Sequence, residues 1–451
     1  MKWCGLLLPV LAACTGGNLS PGDGTDPGSP TDTFPSFYGE PPKNLLVISI
    51  DTLRRDSLPR FGGNPTDLSF LDAVAAEGVV LEQHVSCSNW TYASVLCAQS
   101  GADNTDVDFV PRLQSDMKAP LIDGIGTLGE WLGDAGFYST LASGNSWFSS
   151  EWEMDRGFSW SIPSSTGNAT RLLDHALEPL LVARTVGGQA DRWYMHIHLV
   201  EPHAPYDPPE EYLGGLVGLA PVPGVDLSVK DEHYDYKGLW DTLDPDEQEL
   251  LSKHLRIRYD AELAYMDDQL AAMWVRLGEL GMLDDTLVVV WTDHGEQFWE
   301  HGEQTHAYGL NLEENDGIAL FWANNIVPAV WSEPTSHIDI APTILSIFGL
   351  PIPDQVTGKP IGTADPDRPL FALSVGKWGV ISGVRHQGMK LTYRWSNADK
   401  EFYRLASDPY ERDNLYDDDD PDVIALWDLL MERVDRADAL IPDHTPLSPG
   451  P

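Results

Sequence analysis

Two apolar runs in this 451-residue chain end in polar residues able to do chemistry. The first reads Ile48-Ser49-Ile50-Asp51-Thr52-Leu53-Arg54-Arg55-Asp56, the second Val290-Trp291-Thr292-Asp293-His294-Gly295-Glu296. Asp51, Asp293 and His294 offer carboxylate oxygens and an imidazole nitrogen, donors that suit Ca²⁺, Mg²⁺, Mn²⁺ or Zn²⁺. A third segment, Ser86-Cys87-Ser88-Asn89-Trp90-Thr91-Tyr92-Ala93-Ser94, leads from a strand into an apolar stretch over 95–98. A hydroxyl on such a strand-to-helix turn sits at a helix N-terminus, where free amides and the dipole favour an anion. The same hydroxyl could equally be a helix N-cap.

These segments need a scaffold that gathers strand ends, and the pattern along the chain provides one. Residues 44–50 and 285–291 are continuous β-rich apolar runs, as expected of strands buried on both faces. Further strands are expected at 79–85, 138–142, 193–200 and 318–322. Helical spacing covers 68–76, 127–135, 172–184 and 245–280, with Gly78, Gly136 and Gly281 as stops. Helices alternating with buried strands predict an α/β fold with a mostly parallel sheet. In such a sheet, functional groups collect past the carboxyl ends of the strands. His196 and His198 fall on a strand and read as packing or supporting residues. Residues 380–384, 389–394 and 401–405 instead alternate between turns, which predicts a small antiparallel sheet, followed by a helix over 423–434. An α/β domain is therefore expected over 43–365 and a smaller α+β subdomain over 366–451.

The start of the chain reads as an address. Met1-Lys2-Trp3 precedes a short apolar run over 5–13, followed by Cys14. So short a run suits a secretory signal, not a membrane span. Leu11-Ala12-Ala13-Cys14 resembles a bacterial lipobox, which implies cleavage before Cys14 and lipidation of its thiol. Residues 1–14 are then the signal, and 15–42, rich in Gly, Pro, Ser, Thr and Asp, a flexible tether. The expected location is the cell envelope, with membrane contact only through the lipid anchor. In that oxidising setting Cys87 and Cys97 could pair.

Charge excludes some partners. There are 28 Lys and Arg against 70 Asp and Glu, a formal net charge of −42. No basic excess exists to neutralise a nucleic-acid backbone or an anionic lipid surface. With 42% hydrophobic residues the chain can still bury a large core, so the acid excess does not signal disorder.

The polar segments also fall into a familiar order. Asn44 to Leu58, Trp90 to Ser94, Glu201-Pro-His-Ala-Pro-Tyr-Asp-Pro-Pro209, Tyr259 to Gln269, Asp293-His-Gly-Glu with Glu300-His-Gly302 and His306, His337 to Thr343, and Arg404 to Leu415 follow one another. Together they resemble the sulfatase family of the alkaline phosphatase superfamily, over about 43–435. The resemblance implies an alkaline-phosphatase-like sandwich, with a mostly parallel sheet flanked by helices and a small C-terminal antiparallel sheet and helix. It implies one divalent metal ion held by Asp51, Asp293 and His294 and touching Thr91. Thr91 would be the nucleophile toward a sulfate or phosphate ester, forming a covalent intermediate. His203 and His306 would bind the anionic oxygens or protonate the leaving group. Arg54 and Lys377 would add local attraction for the anionic ester.

Two departures bear on the chemistry. Hydrolytic sulfatases of the family convert a Cys or Ser into formylglycine within a Cys/Ser-x-Pro/Ala-x-Arg pattern. Here the matching stretch is Thr91-Tyr92-Ala93-Ser94-Val95, so no formylglycine is expected. Relatives with an unmodified Thr include phosphoethanolamine transferases and phosphodiesterases, which keeps group transfer open beside hydrolysis. A non-catalytic surface binding protein on a decayed scaffold is the remaining alternative. Thr52 stands where many sulfatases carry a second Asp, which favours Zn²⁺ or Mn²⁺ over Ca²⁺.

Overall fold

The computed structural model describes residues 34–64, 68–105, 124–163, 169–186, 190–225, 236–376 and 379–440. In chain order the strands are β1 (Asn44–Ile50), β2 (Val79–Leu81), β3 (His84–Val85), β4 (Tyr138–Ser143), β5 (Trp160–Pro163), β6 (Trp193–Leu199), β7 (Thr286–Thr292), β8 (Gln297–Phe298) and β9 (Gln304–Thr305). They continue as β10 (Ala319–Trp322), β11 (Ala329–Trp331), β12 (Thr335–Ser336), β13 (Leu370–Gly376), β14 (Gly379–His386), β15 (Met389–Arg394) and β16 (Asp399–Arg404). Eight of them form the central sheet in the order β11-β2-β10-β7-β1-β6-β4-β5. Within it only β10 runs antiparallel to its neighbours. The α/β reading with a mostly parallel sheet is therefore correct.

Both faces of that sheet are buried, as the unbroken apolar runs require. Leu46, Ile48 and Ile50 of β1 point into one core with Val288, Val290, Met195 and Ile197. Helices Ser69–Glu77, Ala169–Val186 and Pro245–Glu279 cover that side. Leu45 and Val47 point the opposite way, with Val289, Trp291 and Tyr194, under helices Thr91–Ser100, Leu128–Asp134 and Ile340–Ile347. Alternate residues of one strand thus feed two cores, the pattern expected at period two.

One expected strand does not survive. The run 79–85 splits at Glu82-Gln83, so β2 stays in the central sheet while β3 pairs with β12 in a separate ribbon. A main-chain bond from Glu82 to the Trp331 carbonyl ends the first pairing there.

The C-terminal sheet is antiparallel, β13-β14-β15-β16, and helix Pro421–Leu440 packs on it. Its first strand, β13, was not evident in the sequence. Leu373 donates from its amide to the Cys87 carbonyl at 2.9 Å, and Ser88 Oγ donates to the Leu373 carbonyl at 2.7 Å. Leu373, Val375, Val380 and Val434 belong to the same apolar cluster as Val47 and Trp291.

The long helix Pro245–Glu279 acts as a brace. Asp244 caps it, and Pro245 sits in its first turn, where a missing N–H costs nothing. Its Asp267 accepts from the Phe70 and Leu71 amides at 2.7 and 2.9 Å, filling orphan donors at the start of helix Ser69–Glu77. Its Tyr259 hydroxyl accepts from the Arg54 amide and donates to the Thr52 carbonyl, both at 2.8 Å. Among the described residues, no helix is long and apolar enough to cross a membrane.

Two outcomes follow from the brace. Burial lifts the Asp267 carboxyl from 3.8 to about 7, although both amides pull it down. A carboxyl raised above its unfolded value adds stability at low pH and loses it as pH climbs through the folded value. The wild type should therefore lose stability relative to Asp267→Asn between those two values; parallel urea midpoints across the window would refute this. Tyr259→Phe should cost about 1–3 kcal/mol in the same assay, because two buried backbone groups lose their partner.

Candidate active site

Parallel pairing of β1 with β6 and β7 aligns three strand ends. Ile50 stands beside both Leu199 and Thr292, and Ser49 beside His198. Asp51 and Asp293, each one residue further on, are carried to the same point. The Asp51 amide bonds to the Leu199 carbonyl and the Asp293 amide to the Ile50 carbonyl, so the alignment continues past the sheet. Thr52 then turns the chain at φ +52, a left-handed conformation that a β-branched residue adopts rarely. There its amide donates to Asp293 Oδ1 at 3.2 Å, and the His294 amide donates to the same oxygen at 2.7 Å.

These bonds leave a defined set of atoms unused. Asn145 Nδ2 donates to Asp51 Oδ2 at 2.9 Å, and the His294 ring nitrogen Nδ1 donates to the Gly295 carbonyl at 2.9 Å. Asp51 Oδ1, Asp293 Oδ2, His198 Nε2 and His294 Nε2 have no partner although all four are buried. His294 Nε2 lies 3.6 Å from Asp51 Oδ1 and 3.7 Å from Asp293 Oδ2. His198 Nε2 lies 3.5 Å from Asp51 Oδ2. One ligand atom each from Asp51, His198 and Asp293 falls within 4.8 Å of the others. Orphaned buried polar atoms are costly. Two carboxylates clustered with His198, and His294 within 3.7 Å of both of them, offer the oxygen and nitrogen donors that a divalent cation takes, so the residues fit such an ion.

The electrostatics agree. Burial opposes charge on Asp51, but His203, His198 and His294 outweigh it and hold the carboxyl below the usual range. Burial and the Asp51 charge together push Asp293 well above its ordinary value. Burial, with His306 alongside, takes His294 down to about 3, which keeps its imidazole neutral as a ligand must be.

Thr91 opens helix Thr91–Ser100, preceded by Trp90 in extended conformation, and is buried. Several ties hold this turn against the strand ends. Ser86 Oγ lies 2.5 Å from the Asp293 carbonyl and 3.0 Å from Ser94 Oγ. Asn89 Nδ2 donates to Glu314 Oε2 at 2.7 Å. Cys87 and Cys97 are disulfide-bonded across the turn, with Cα atoms 6.7 Å apart. The Trp147 ring stands 5.4 Å from Trp90 and 5.7 Å from Tyr92, and its amide donates to Asn145 Oδ1. The turn and the Asp51 side of the cluster therefore share one wall.

His203 follows β6 and is half-buried; its Nδ1 donates to the Ala204 carbonyl at 2.6 Å. Its ring centroid is 5.1 Å from that of His306, which in turn is 4.4 Å from His294. His306 Nδ1 lies 3.3 Å from Glu296 Oε1, so a buried carboxylate orients this ring. Asp51, Asp293, His294, His203 and His306 are thus brought together.

Arg54 is a correction. Its guanidinium is buried and engaged by Asp56 at 2.7 Å, Glu300 at 2.5 Å and the Glu296 carbonyl at 3.1 Å. Burial opposes its charge, yet the two carboxylates raise its pKa well above normal. A charge so neutralised braces the loop and is not offered to a substrate anion. Lys377 and Cys14 lie outside the described residues.

No site role was expected of Asn145, His198 read only as a packing or supporting residue, and Glu296 stood unassigned within the Asp293-His-Gly-Glu motif. Alternation along β6 puts His196 and His198 on one face, but spacing does not reveal which face meets Asp51. Asn145 lies two residues past the end of β4, the position where strand-end function is expected, and carried no other signal.

The comparisons with known proteins bear on the whole of this arrangement. A sulfatase family model matches residues 43–350, about two-thirds of the chain. No curated protein matches it. Among solved structures, the yidJ protein of Bacteroides fragilis is 16% identical, with TM-score 0.71 over 88% of this chain and 97% of that one. The protein BT4656, solved with its substrate D-glucosamine-2-N,6-O-disulfate, is 15% identical, with TM-score 0.69 over 90% and 99%. The phosphonate monoester hydrolase SpPMH of Silicibacter pomeroyi is 18% identical, with TM-score 0.63 over 90% and 96%. At these identities the neighbours establish an alkaline-phosphatase-like fold. Taken with the matched family model, they show that this chain belongs to the sulfatase family, a family of metal-dependent ester hydrolases.

Proposed function

We propose that the protein hydrolyses a sulfate or phosphate ester through a covalent intermediate on Thr91. The observation that carries the proposal is the set of unpartnered buried donors at the strand ends, beside the turn bearing Thr91. Asp51, Asp293 and His294 would hold the ion. Such an ion, Zn²⁺ or Mn²⁺ for this donor set, would lower the pKa of a nearby hydroxyl and neutralise ester oxygens. Thr91 Oγ1 attacks sulfur or phosphorus in line, forming the Oγ1–S or Oγ1–P bond as the bond to the ester oxygen breaks. His203 and His306 would bind the anionic oxygens or protonate the departing oxygen, so that the proton lost by the Thr91 hydroxyl is balanced by the one gained by the leaving group. Water then cleaves the threonyl ester and restores the hydroxyl.

Since Thr91 is not followed by the formylglycine pattern, release depends on water attacking sulfur or phosphorus directly. A plain threonyl ester lacks the hemiacetal route that expels sulfate, which weights the reading toward phosphorus esters. The lipobox at Cys14 supports a place in the cell envelope, but the expected tether 15–42 is too long by its last stretch: Phe37 is buried in the core, and the Tyr38 amide bonds to the Asn325 carbonyl, so the folded body already begins there. BT4656 and SpPMH act on a sulfated sugar and a phosphonate ester, and both fit the anionic ester proposed here.

A panel of chromogenic sulfate, phosphate monoester and phosphodiester substrates tests the reading. Thr91→Ala should lower turnover about a thousand-fold or more, with loss of a substrate-derived mass adduct on its peptide. Activity surviving that change would sink the nucleophile assignment. Metal analysis of the purified protein should find a bound divalent ion that Asp293→Ala loses. Arg54→Met should leave substrate affinity unchanged but cost about 3 kcal/mol or more, because Asp56 and Glu300 lose their partner. A raised KM without loss of stability would return Arg54 to the substrate.

A further inference from the structure

We infer that His198 is a fourth protein ligand of the cation site, and that Ser49, His196 and Gln99 hold it in the tautomer that binding needs. This rests on the cation reading given above and extends it to a residue outside the matched motifs.

The starting point is an atom without a use. His198 Nε2 is buried and has no hydrogen-bond partner. It lies 3.5 Å from Asp51 Oδ2, long for a hydrogen bond to a carboxylate. A ring that merely packed there would leave either an unsatisfied proton or a lone pair facing a carboxylate, and both are unfavourable. Two donors of a tetrahedral zinc site stand about 3.3 Å apart, given metal–ligand distances near 2.0–2.1 Å. The 3.6 and 3.7 Å from His294 to Asp51 Oδ1 and Asp293 Oδ2 match that spacing, and the 3.5 Å from His198 to Asp51 Oδ2, the oxygen that Asn145 also bonds, brings His198 to the same carboxylate.

A coordinating nitrogen must offer a lone pair, so the ring proton has to sit on the other nitrogen. His294 meets this by donating from Nδ1 to the Gly295 carbonyl. For His198, Nδ1 lies 2.8 Å from Ser49 Oγ. The same hydroxyl lies 2.9 Å from His196 Nε2, and His196 Nδ1 lies 3.1 Å from the Gln99 side-chain amide. A serine hydroxyl can accept one bond while donating another. With Gln99 Nε2 on His196 Nδ1 the relay would run from His196 through Ser49 to His198; ion binding calls for the reverse, with His198 donating to Ser49, Ser49 donating to His196 Nε2, and His196 Nδ1–H needing an acceptor. Gln99 Oε1 is buried without a partner, and a half-turn of the amide places it against His196. Every proton of the relay then has an acceptor, and His198 Nε2 is left with its lone pair. Phe148, whose ring centroid is 4.4 Å from that of His198, fixes the imidazole plane.

The consequence is chemical. Two imidazoles beside two carboxylates suit Zn²⁺ or Mn²⁺, whereas Ca²⁺ takes oxygen ligands. Gln99 lies on helix Thr91–Ser100, so the relay also links the nucleophile helix to the ion.

The test uses the purified full chain stripped of metal. Zn²⁺ and Ca²⁺ affinities are measured by competition titration, and coordinated imidazoles are counted by spin-echo modulation of the Mn²⁺-loaded protein. Two imidazole nitrogens are expected in the wild type, with Zn²⁺ bound far more tightly than Ca²⁺. His198→Gln should lose one nitrogen and weaken Zn²⁺ more than a hundred-fold. Ser49→Ala should keep both nitrogens and weaken Zn²⁺ about 10–100-fold, the usual effect of losing a group that orients a ligand. A single imidazole in the wild type, or unchanged affinity in His198→Gln, overturns the inference while leaving the cation site standing. A wild type that binds none of the three ions overturns both. If His198→Gln does not fold, the wild-type nitrogen count and Ser49→Ala decide the matter.

Discussion

Two carboxylates, Asp51 and Asp293, are buried side by side at the ends of adjacent parallel strands, and much of the surrounding structure answers to that fact. Neither could be charged there cheaply without a positive partner, because desolvation and mutual repulsion act in the same direction. The imidazoles of His198 and His294 stand within 3.7 Å of these carboxyls, and each has its second ring nitrogen occupied elsewhere. The left-handed turn at Thr52 keeps the chain close enough for its amide to reach Asp293, and Tyr259 of the long helix clamps that turn from the far side. The strain of one residue is thus held by packing that originates some two hundred residues away in sequence.

The turn carrying Thr91 is held with comparable redundancy. The Cys87–Cys97 disulfide spans it, β13 of the C-terminal sheet bonds to its backbone, and Asn89 reaches the buried Glu314. Burial lifts Glu314 to about 8, although Gln297, Asn89 and two backbone amides pull it down. The C-terminal sheet therefore does more than cap the core, because it helps to fix the turn that carries Thr91. Such anchoring would suit the nucleophile role proposed for Thr91, since small misplacements cost large factors in rate.

Fold and chemistry part company at a few side chains. The fold is shared with structures at 15–18% identity, so it tolerates wholesale change of sequence. On the proposed reading, reaction type would depend instead on Thr91, Val95 and the imidazoles around the two carboxylates. The net charge of −42 sharpens this, because an acidic body repels an anionic ester at long range. Attraction must come from groups within the site. Arg54 is not among them, since Asp56 and Glu300 already surround its guanidinium.

The sequence alone determined the α/β class, six of the eight central strands and the long helix, and it singled out Asp51, Asp293 and His294 as candidates. Those features are local: apolar runs mark strands buried on both faces, and strand ends mark where polar groups collect. The split of 79–85 into two sheets was illegible, because pairing partners and not propensity decide where a strand stops. So was the place of His198, since period-two alternation groups it with His196 but cannot say what faces them. Arg54 misled for a related reason. A cation two residues past the Thr52 turn looks available until the fold brings Glu300 against it. Sequence fixes which atoms can donate and accept, whereas only tertiary structure decides which of them are left without a partner, and in this protein the unpartnered ones define the site.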